Sequence, residues 1–279
     1  MKTELQINDF ALFCDTIQTI ANISSSVKLT FTESGFYTSV ASEGKVARVD
    51  VKSSSVCTPS GSGTISMCTK ELNILSQLLN KIIKAHMLKG KARQTTTPDY
   101  SDVSIVVEDL KINLKSSTLK TGIFLVEENV VQSFKPFDKQ CHEIAKLSID
   151  NSDLKEILSS TFIFNKPDNL VVEIVHQEDM VRNIAYADLS DPSDPRTNSI
   201  NLKFGNIQSG DLTRRIFIDI PRIQILAIFP IETLGLSLNQ EACAISKFNI
   251  NGHESHYQSE YQVIFKYIDP SVKLAAQSV

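Results

Sequence analysis

The sequence predicts an α+β fold: two similar domains, each an antiparallel sheet with two short helices packed on one face. Three observations carry that expectation. Stretches such as Lys28-Leu29-Thr30-Phe31-Thr32 and Val49-Asp50-Val51-Lys52 alternate apolar with polar residues, which suits strands with one packed and one wet face. Four other stretches place apolar residues at three- and four-residue spacing, the signature of an amphipathic helix. The order strand, helix, meander, strand, helix, strands then occurs twice, with almost no identity between the copies. These patterns divide the chain into a first domain at 1–123, a connector at 124–142, a second domain at 143–269 and a tail at 270–279.

In the first domain, Thr3 to Ile7 alternates as a short strand, and Asn8 or Asp9 is placed to cap the helix that follows. Phe10, Phe13, Ile17, Ile20 and Ala21 form its apolar stripe, opposite Asp15, Gln18, Thr19 and Asn22. A meander occupies Val27 to Val51, with turns at Ser34-Gly35 and Glu43-Gly44-Lys45. A Ser/Gly/Pro loop at Ser53 to Gly63 leads to a strand at Thr64–Met67, and Thr69 is read as the cap of a second helix. Leu72, Leu75, Leu79 and Ile82 give that helix its buried stripe, while Lys70, Asn73, Gln77, Lys81 and Lys84 lie opposite. Lys89, Lys91 and Arg93 continue the basic run into what reads as a loop. Strands at Val103–Val107 and Lys111–Leu114 make a hairpin about Glu108-Asp109, prolonged by Leu119 to Phe124.

The connector shows no sustained period and holds Pro136 with three exposed-looking apolar residues, Val131, Phe134 and Phe137. The second domain opens on a strand at His142–Ile149 and a short helix with Leu154, Ile157 and Leu158 on one side, capped by Asp150, Asn151 or Ser152. Strands follow at 170–175, 183–189, 199–204 and 215–218. Pro221 opens the fourth helix, as proline suits a first turn. Three strands at 234–238, 242–250 and 257–268 complete the domain.

Composition excludes several classes. No apolar run reaches the roughly 18 residues needed to span a bilayer, and the N-terminus lacks a signal-type apolar core, so an intracellular protein without a membrane partner is expected. Five scattered cysteines with no CxxC pair read as reduced structural thiols. His253-Glu254-Ser255-His256 lacks HExxH spacing and follows Gly252, which points to a solvated turn and not a metal site. His86, His142 and His176 stand alone; Asp150 with Asp153 reads as helix capping and Asp191 with Asp194 as a solvated loop. No nucleophile–base–orienter arrangement emerges, so binding is favoured over catalysis, with no cofactor. The formal net charge of −4 does not suggest nucleic acid by its sum, which leaves the distribution of charge to decide.

Phe31-Thr32-Glu33-Ser34-Gly35-Phe36, Ala41 to Val49, Ser152 to Leu158 and Lys266-Tyr267-Ile268-Asp269-Pro270, taken with the doubled element order, resemble the DNA polymerase sliding clamps of the proliferating cell nuclear antigen type. The chain's length resembles a divergent viral or phage member more than a cellular one. The resemblance implies a DNA-clamp fold and a non-enzymatic processivity factor. Its subunits would close head-to-tail into a ring, usually a homotrimer, around duplex DNA of any sequence. DNA polymerase and a clamp loader would be its partners, in a host cytoplasm, a nucleus or a viral replication site. For this chain it implies DNA contacts from Lys70, Lys81, Lys84, Lys89, Lys91, Arg93, Lys155 and Arg222. The first helix departs from the pattern, since Asn8 to Asn22 contains no basic residue. The resemblance also implies a partner pocket lined by Ala41, Val46, Val131, Phe134, Ile268 and Pro270. Two other readings stay open: a monomeric DNA-binding processivity factor of the same fold, and a structural or interaction β-protein without a DNA role.

Overall fold

The structure, a computed structural model, describes residues 2–92, 98–132, 134, 137, 141–164, 171–176, 184–190, 200–210, 212 and 216–270, without the side chains of 91–92, 171–176 and 190. The chain forms two compact units. The first comprises Met1–Glu43, Val49–Pro136 and Asn249–Tyr261; the second comprises Gly44–Arg48, Phe137–Phe248 and Gln262–Val279.

In the first unit β1 (Lys2–Ile7) leads into α1 (Phe10–Ile23). Asp9 is the N-cap, and its carboxylate accepts the Leu12 N–H at 3.0 Å. Phe10, Phe13, Ile17 and Ile20 are buried, while Ala11, Asp15, Gln18 and Asn22 face solvent. Next come β2 (Ser26–Thr32), β3 (Gly35–Ala41), β4 (Ala47–Ser54), β5 (Cys57–Pro59) and β6 (Gly63–Cys68). β2 pairs antiparallel with both β3 and β6. At the β2–β3 turn, Gly35 has φ +147°, and a Cβ there would lie 2.0 Å from the Ser53 carbonyl oxygen, so only glycine fits. β5 is a strand inside the stretch expected as a loop, because it pairs with β1 through Leu5–Pro59 to Ile7–Cys57.

Helix α2 (Thr69–Ala92) is the largest departure from the sequence expectation. It runs 24 residues, so Lys89 and Lys91 lie on a helix and not in a loop. Lys84-Ala85-His86-Met87-Leu88-Lys89 is rich in helix formers, and one interior glycine, Gly90, costs only about 1 kcal/mol relative to alanine. Thr69 is also not the cap. It is the first helical residue, its hydroxyl donates to the Ser25 carbonyl, and Glu71 reaches back to accept the Cys68 N–H at 3.1 Å. Leu72, Leu75, Leu79 and Ile82 are buried as the periodicity requires. α2 packs beside α1, where Asn80 Nδ2 donates to Gln18 Oε1 at 3.0 Å. β7 (Ser104–Glu108), β8 (Lys111–Lys115) and β9 (Lys120–Phe124) complete a five-stranded antiparallel sheet in the order β5-β1-β7-β8-β9. Val131, expected to be exposed, is buried, and Phe134 and Phe137 are half-buried.

Residues 249–261 carry a second set of contacts into this unit. The buried hydroxyls of Thr16 and Ser259 meet at 2.9 Å, and Ser53 joins Ser259 at 3.2 Å. Burial pushes the Tyr261 phenol up to about 12, against hydrogen bonds to Thr16 and Thr19 that act the other way.

The second half repeats the element order. β10 (Glu143–Asp150) precedes α3 (Asn151–Ser160); β11 (Val171–His176), β12 (Ile184–Ser190), β13 (Ile200–Gly210) and β14 (Ile216–Asp219) follow. Then come α4 (Ile220–Ala227), β15 (Thr233–Asn239), β16 (Cys243–Asn251) and β17 (Gln258–Lys266). Within the second unit the antiparallel order is β14-β11-β12-β13-β10-β15-β16. α3 and α4 pack together against these strands. Leu154, Ile157, Ile223 and Leu226 are fully buried beneath them. Asp219 caps α4 by accepting the Arg222 N–H, and Pro221 lies in the first turn as expected. Asp150 is the N-cap residue of α3, yet its carboxylate makes no cap bond. It and Asp153 instead hold Lys203 Nζ, at 3.4 and 3.0 Å, which corrects their reading as helix caps. The hydrogen bond to Asp153 leads in holding the Lys203 ammonium above its ordinary pKa. Asp191, Asp194 and Arg93 lie outside the described residues, and no helix among those described is long and apolar enough to cross a membrane.

Candidate nucleic-acid interface

The solvent face of α2 is built by its helical period. Residues 70, 73, 77, 81, 84, 88 and 91 follow at intervals of three or four, so they fall on one stripe. At about 1.5 Å per residue the stripe runs on the order of 32 Å. Lys70, Asn73, Gln77, Lys81, Lys84 and Leu88 are exposed along it. Lys91 occupies a stripe position, and its side chain is outside the description. Glu71 is the one acid on the helix, and it is occupied at Cys68. Among the described residues no carboxylate pairs with Lys70, Lys81 or Lys84. Lys89 stands apart from the stripe, half-buried, with Nζ donating to Ser117 Oγ.

The C-terminal half of α2 is fixed by a buried histidine. His86 Nδ1 lies 2.6 Å from the Asp99 carbonyl oxygen, and Nε2 lies 3.2 Å from Asp102 Oδ1. Tyr100 lies against His86 with ring centroids 5.1 Å apart, and against Phe10 at 4.7 Å. Asp102 also accepts the Ser117 N–H at 2.8 Å. In the sequence His86 stands alone. Asp102 lies 16 positions away, and no local spacing links it to His86.

The second unit's candidates are placed differently. Lys155 is exposed on α3, beside a groove also lined by Asp150 and Glu232. Arg222 is half-buried and its guanidinium donates to the Asp219 carboxylate one turn earlier. The two therefore do not repeat the α2 stripe.

Of the expected partner-pocket residues, Ala41, Val131 and Phe134 belong to the first unit and Val46, Ile268 and Pro270 to the second. Ala41, Val46 and Phe134 are half-buried, Val131 is buried, and Ile268 and Pro270 are exposed. Ile268 and Phe217 exchange backbone hydrogen bonds of 2.9 Å in each direction, which fixes the start of the C-terminal segment on β14.

The His253–His256 turn is exposed as expected, but His253 is not idle. Its N–H donates to Asp9 Oδ2 at 2.8 Å, and its ring Nδ1 lies 2.7 Å from the same oxygen. Burial pushes the Asp9 carboxyl up, but the backbone N–H groups of Leu12 and His253 and then the His253 ring outweigh it, leaving the carboxyl below its ordinary pKa. No group of three or more metal-ligating side chains is assembled among the described residues.

No family model matches the sequence, and no curated protein matches it. Solved structures do match its fold. The proliferating cell nuclear antigen (PCNA) of Entamoeba histolytica superposes with a TM-score of 0.66 at 12% identity, over 95% of this chain and 98% of that one. PCNA of A. fulgidus, solved with the C-terminal region of FEN-1 bound, gives 0.64 at 14% identity over 96% and 98%. The PCNA2–PCNA3 complex of Sulfolobus tokodaii gives 0.61 at 10% identity over 96% and 99%. Two units of antiparallel strands, each carrying a packed helix pair, and end-to-end superposition on these proteins identify the architecture: the chain has the DNA-clamp fold of the PCNA-type sliding clamps.

Proposed function

We propose that this protein is a sliding clamp, a processivity factor that encircles duplex DNA as a ring of identical subunits and tethers DNA polymerase and other replication proteins to it. The observation that supports this most is the end-to-end match of the fold to PCNA structures, joined to a stripe of exposed lysines on a helix face that have no carboxylate partner among the described residues. A stripe of ammonium groups attracts phosphates by releasing condensed counterions and reads no bases, which is what a sliding contact requires. The protein acts by binding and topology, with no catalytic step. Heterologous contacts between copies that close on themselves produce the ring. Ala41, Val46, Val131, Phe134, Ile268 and Pro270 are proposed to receive a short partner segment with apolar anchors. The FEN-1 segment bound to A. fulgidus PCNA is a precedent for peptide capture on this fold.

The test is mass in solution, measured by light scattering with and without nicked circular duplex. A closed oligomer is expected, with a DNA-bound fraction that survives salt high enough to strip electrostatic binders. A strictly monomeric chain that leaves circular DNA as salt rises would support the second reading, a monomeric processivity factor. That reading is favoured by one observation, the concentration on a single helix of exposed lysines without a carboxylate partner among the described residues.

A further inference from the structure

We infer that each subunit holds the duplex through one helix, α2, and that the helices of the second unit contribute little to DNA affinity. The inference rests on the DNA-binding reading above and specifies which cations make the contact.

Three charge patterns carry it. On α2 the exposed lysines share one straight stripe and have no carboxylate partner among the described residues. The 24-residue length of the helix extends the stripe through Lys84 towards position 91, and the His86 contacts with Asp99 and Asp102 hold that extension in place. On the neighbouring α1 the exposed face is Ala11, Asp15, Gln18 and Asn22, with no cation. In the second unit the cations are either paired with acid or isolated: Lys155 is a single exposed lysine on α3 and forms no stripe. Arg222 is committed to Asp219, Lys203 to Asp150 and Asp153, and Lys155 shares its groove with Asp150 and Glu232. A cation already paired with a carboxylate releases little counterion when a phosphate approaches, because the phosphate must first displace that partner. The attraction therefore concentrates on Lys70, Lys81 and Lys84.

Two double variants decide the matter: Lys81→Ala with Lys84→Ala on α2, and Lys155→Ala with Arg222→Ala on α3 and α4. The probe is a fluorescein-labelled linear duplex, titrated by anisotropy at several salt concentrations, with circular dichroism melting as the folding control. For the α2 pair, the slope of log affinity against log salt should flatten by about 2 per engaged subunit, one for each phosphate contact removed. For the second pair the slope should stay within error of the unaltered protein. An equal or larger loss from the second pair overturns the inference while leaving the clamp reading standing. Unaltered protein that binds no linear duplex at any salt also overturns the inference, while the clamp reading is decided separately by retention on nicked circles.

Discussion

Asp9 shows how much one side chain can hold. It caps α1 and fastens the Gly252–Tyr257 turn by accepting from Leu12 and twice from His253. Its carboxyl sits below the ordinary range, so the folded state binds its proton less readily than the unfolded chain does. Its stabilisation is therefore complete above the unfolded carboxylate pKa and is lost as pH falls through the lower folded value. Replacing Asp9 with Asn keeps a capping oxygen for Leu12 but turns an amide NH2 towards the His253 donors. It should cost about 1–2 kcal/mol at neutral pH, read from urea unfolding, and the gap to the unaltered protein should close below about pH 4. A gap that stays constant down to pH 2 would mean the carboxylate charge is irrelevant. Gly35 is the complementary case: alanine there must fit a Cβ 2.0 Å from the Ser53 carbonyl, and a loss of at least about 1–3 kcal/mol is expected in the same assay. A cap at Asn8 or Asp9 was legible in the sequence, since a short polar side chain before an apolar helical stripe has a local meaning; the structure assigns it to Asp9. Its bond to His253 was not, because 244 residues separate the two and only the tertiary fold joins them.

At the scale of the element, buried stripes were the most legible feature. Phe10, Phe13, Ile17 and Ile20, or Leu72, Leu75, Leu79 and Ile82, have to find a core, and each did. Helix ends were less so. Glycine at 90 between lysines reads locally as a loop, but the helix formers before it and the His86 contacts carry α2 on to Ala92. The α3 start misled for another reason: Asp150 and Asp153 have capping chemistry, yet a lysine 50 residues beyond Asp153 claims both carboxylates. With His86→Ala, amide exchange should accelerate in the last two turns of α2 and at Val103, whose N–H is bonded to the Tyr100 carbonyl. The first turns, packed through Leu72 and Leu75, should keep their protection. Uniform acceleration across the helix would show that the histidine supports the whole unit and not its extension.

For the whole molecule, the antiparallel sheets with paired helices could be read from alternation, helical spacing and a repeated element order, without sequence identity between the halves. The candidate site was legible in part. A lysine stripe is a local periodic pattern, and α2 displays it; whether a cation is already committed, as Arg222 is to Asp219, depends on rotamers that a sequence does not carry. The residues proposed to receive a partner segment have a functional test. Phe134→Ala should weaken polymerase binding, measured by surface plasmon resonance, without changing oligomer mass; unchanged affinity would remove Phe134 from the pocket. The central claim is that a closed ring of this chain is threaded by duplex. It is tested most directly by loading the protein on nicked circular DNA, cutting half the sample with a single-site nuclease, and passing both through gel filtration at high salt. Protein is expected to co-elute with the circles and to be lost from the linear molecules. Equal loss from both, or equal retention on both, would contradict it.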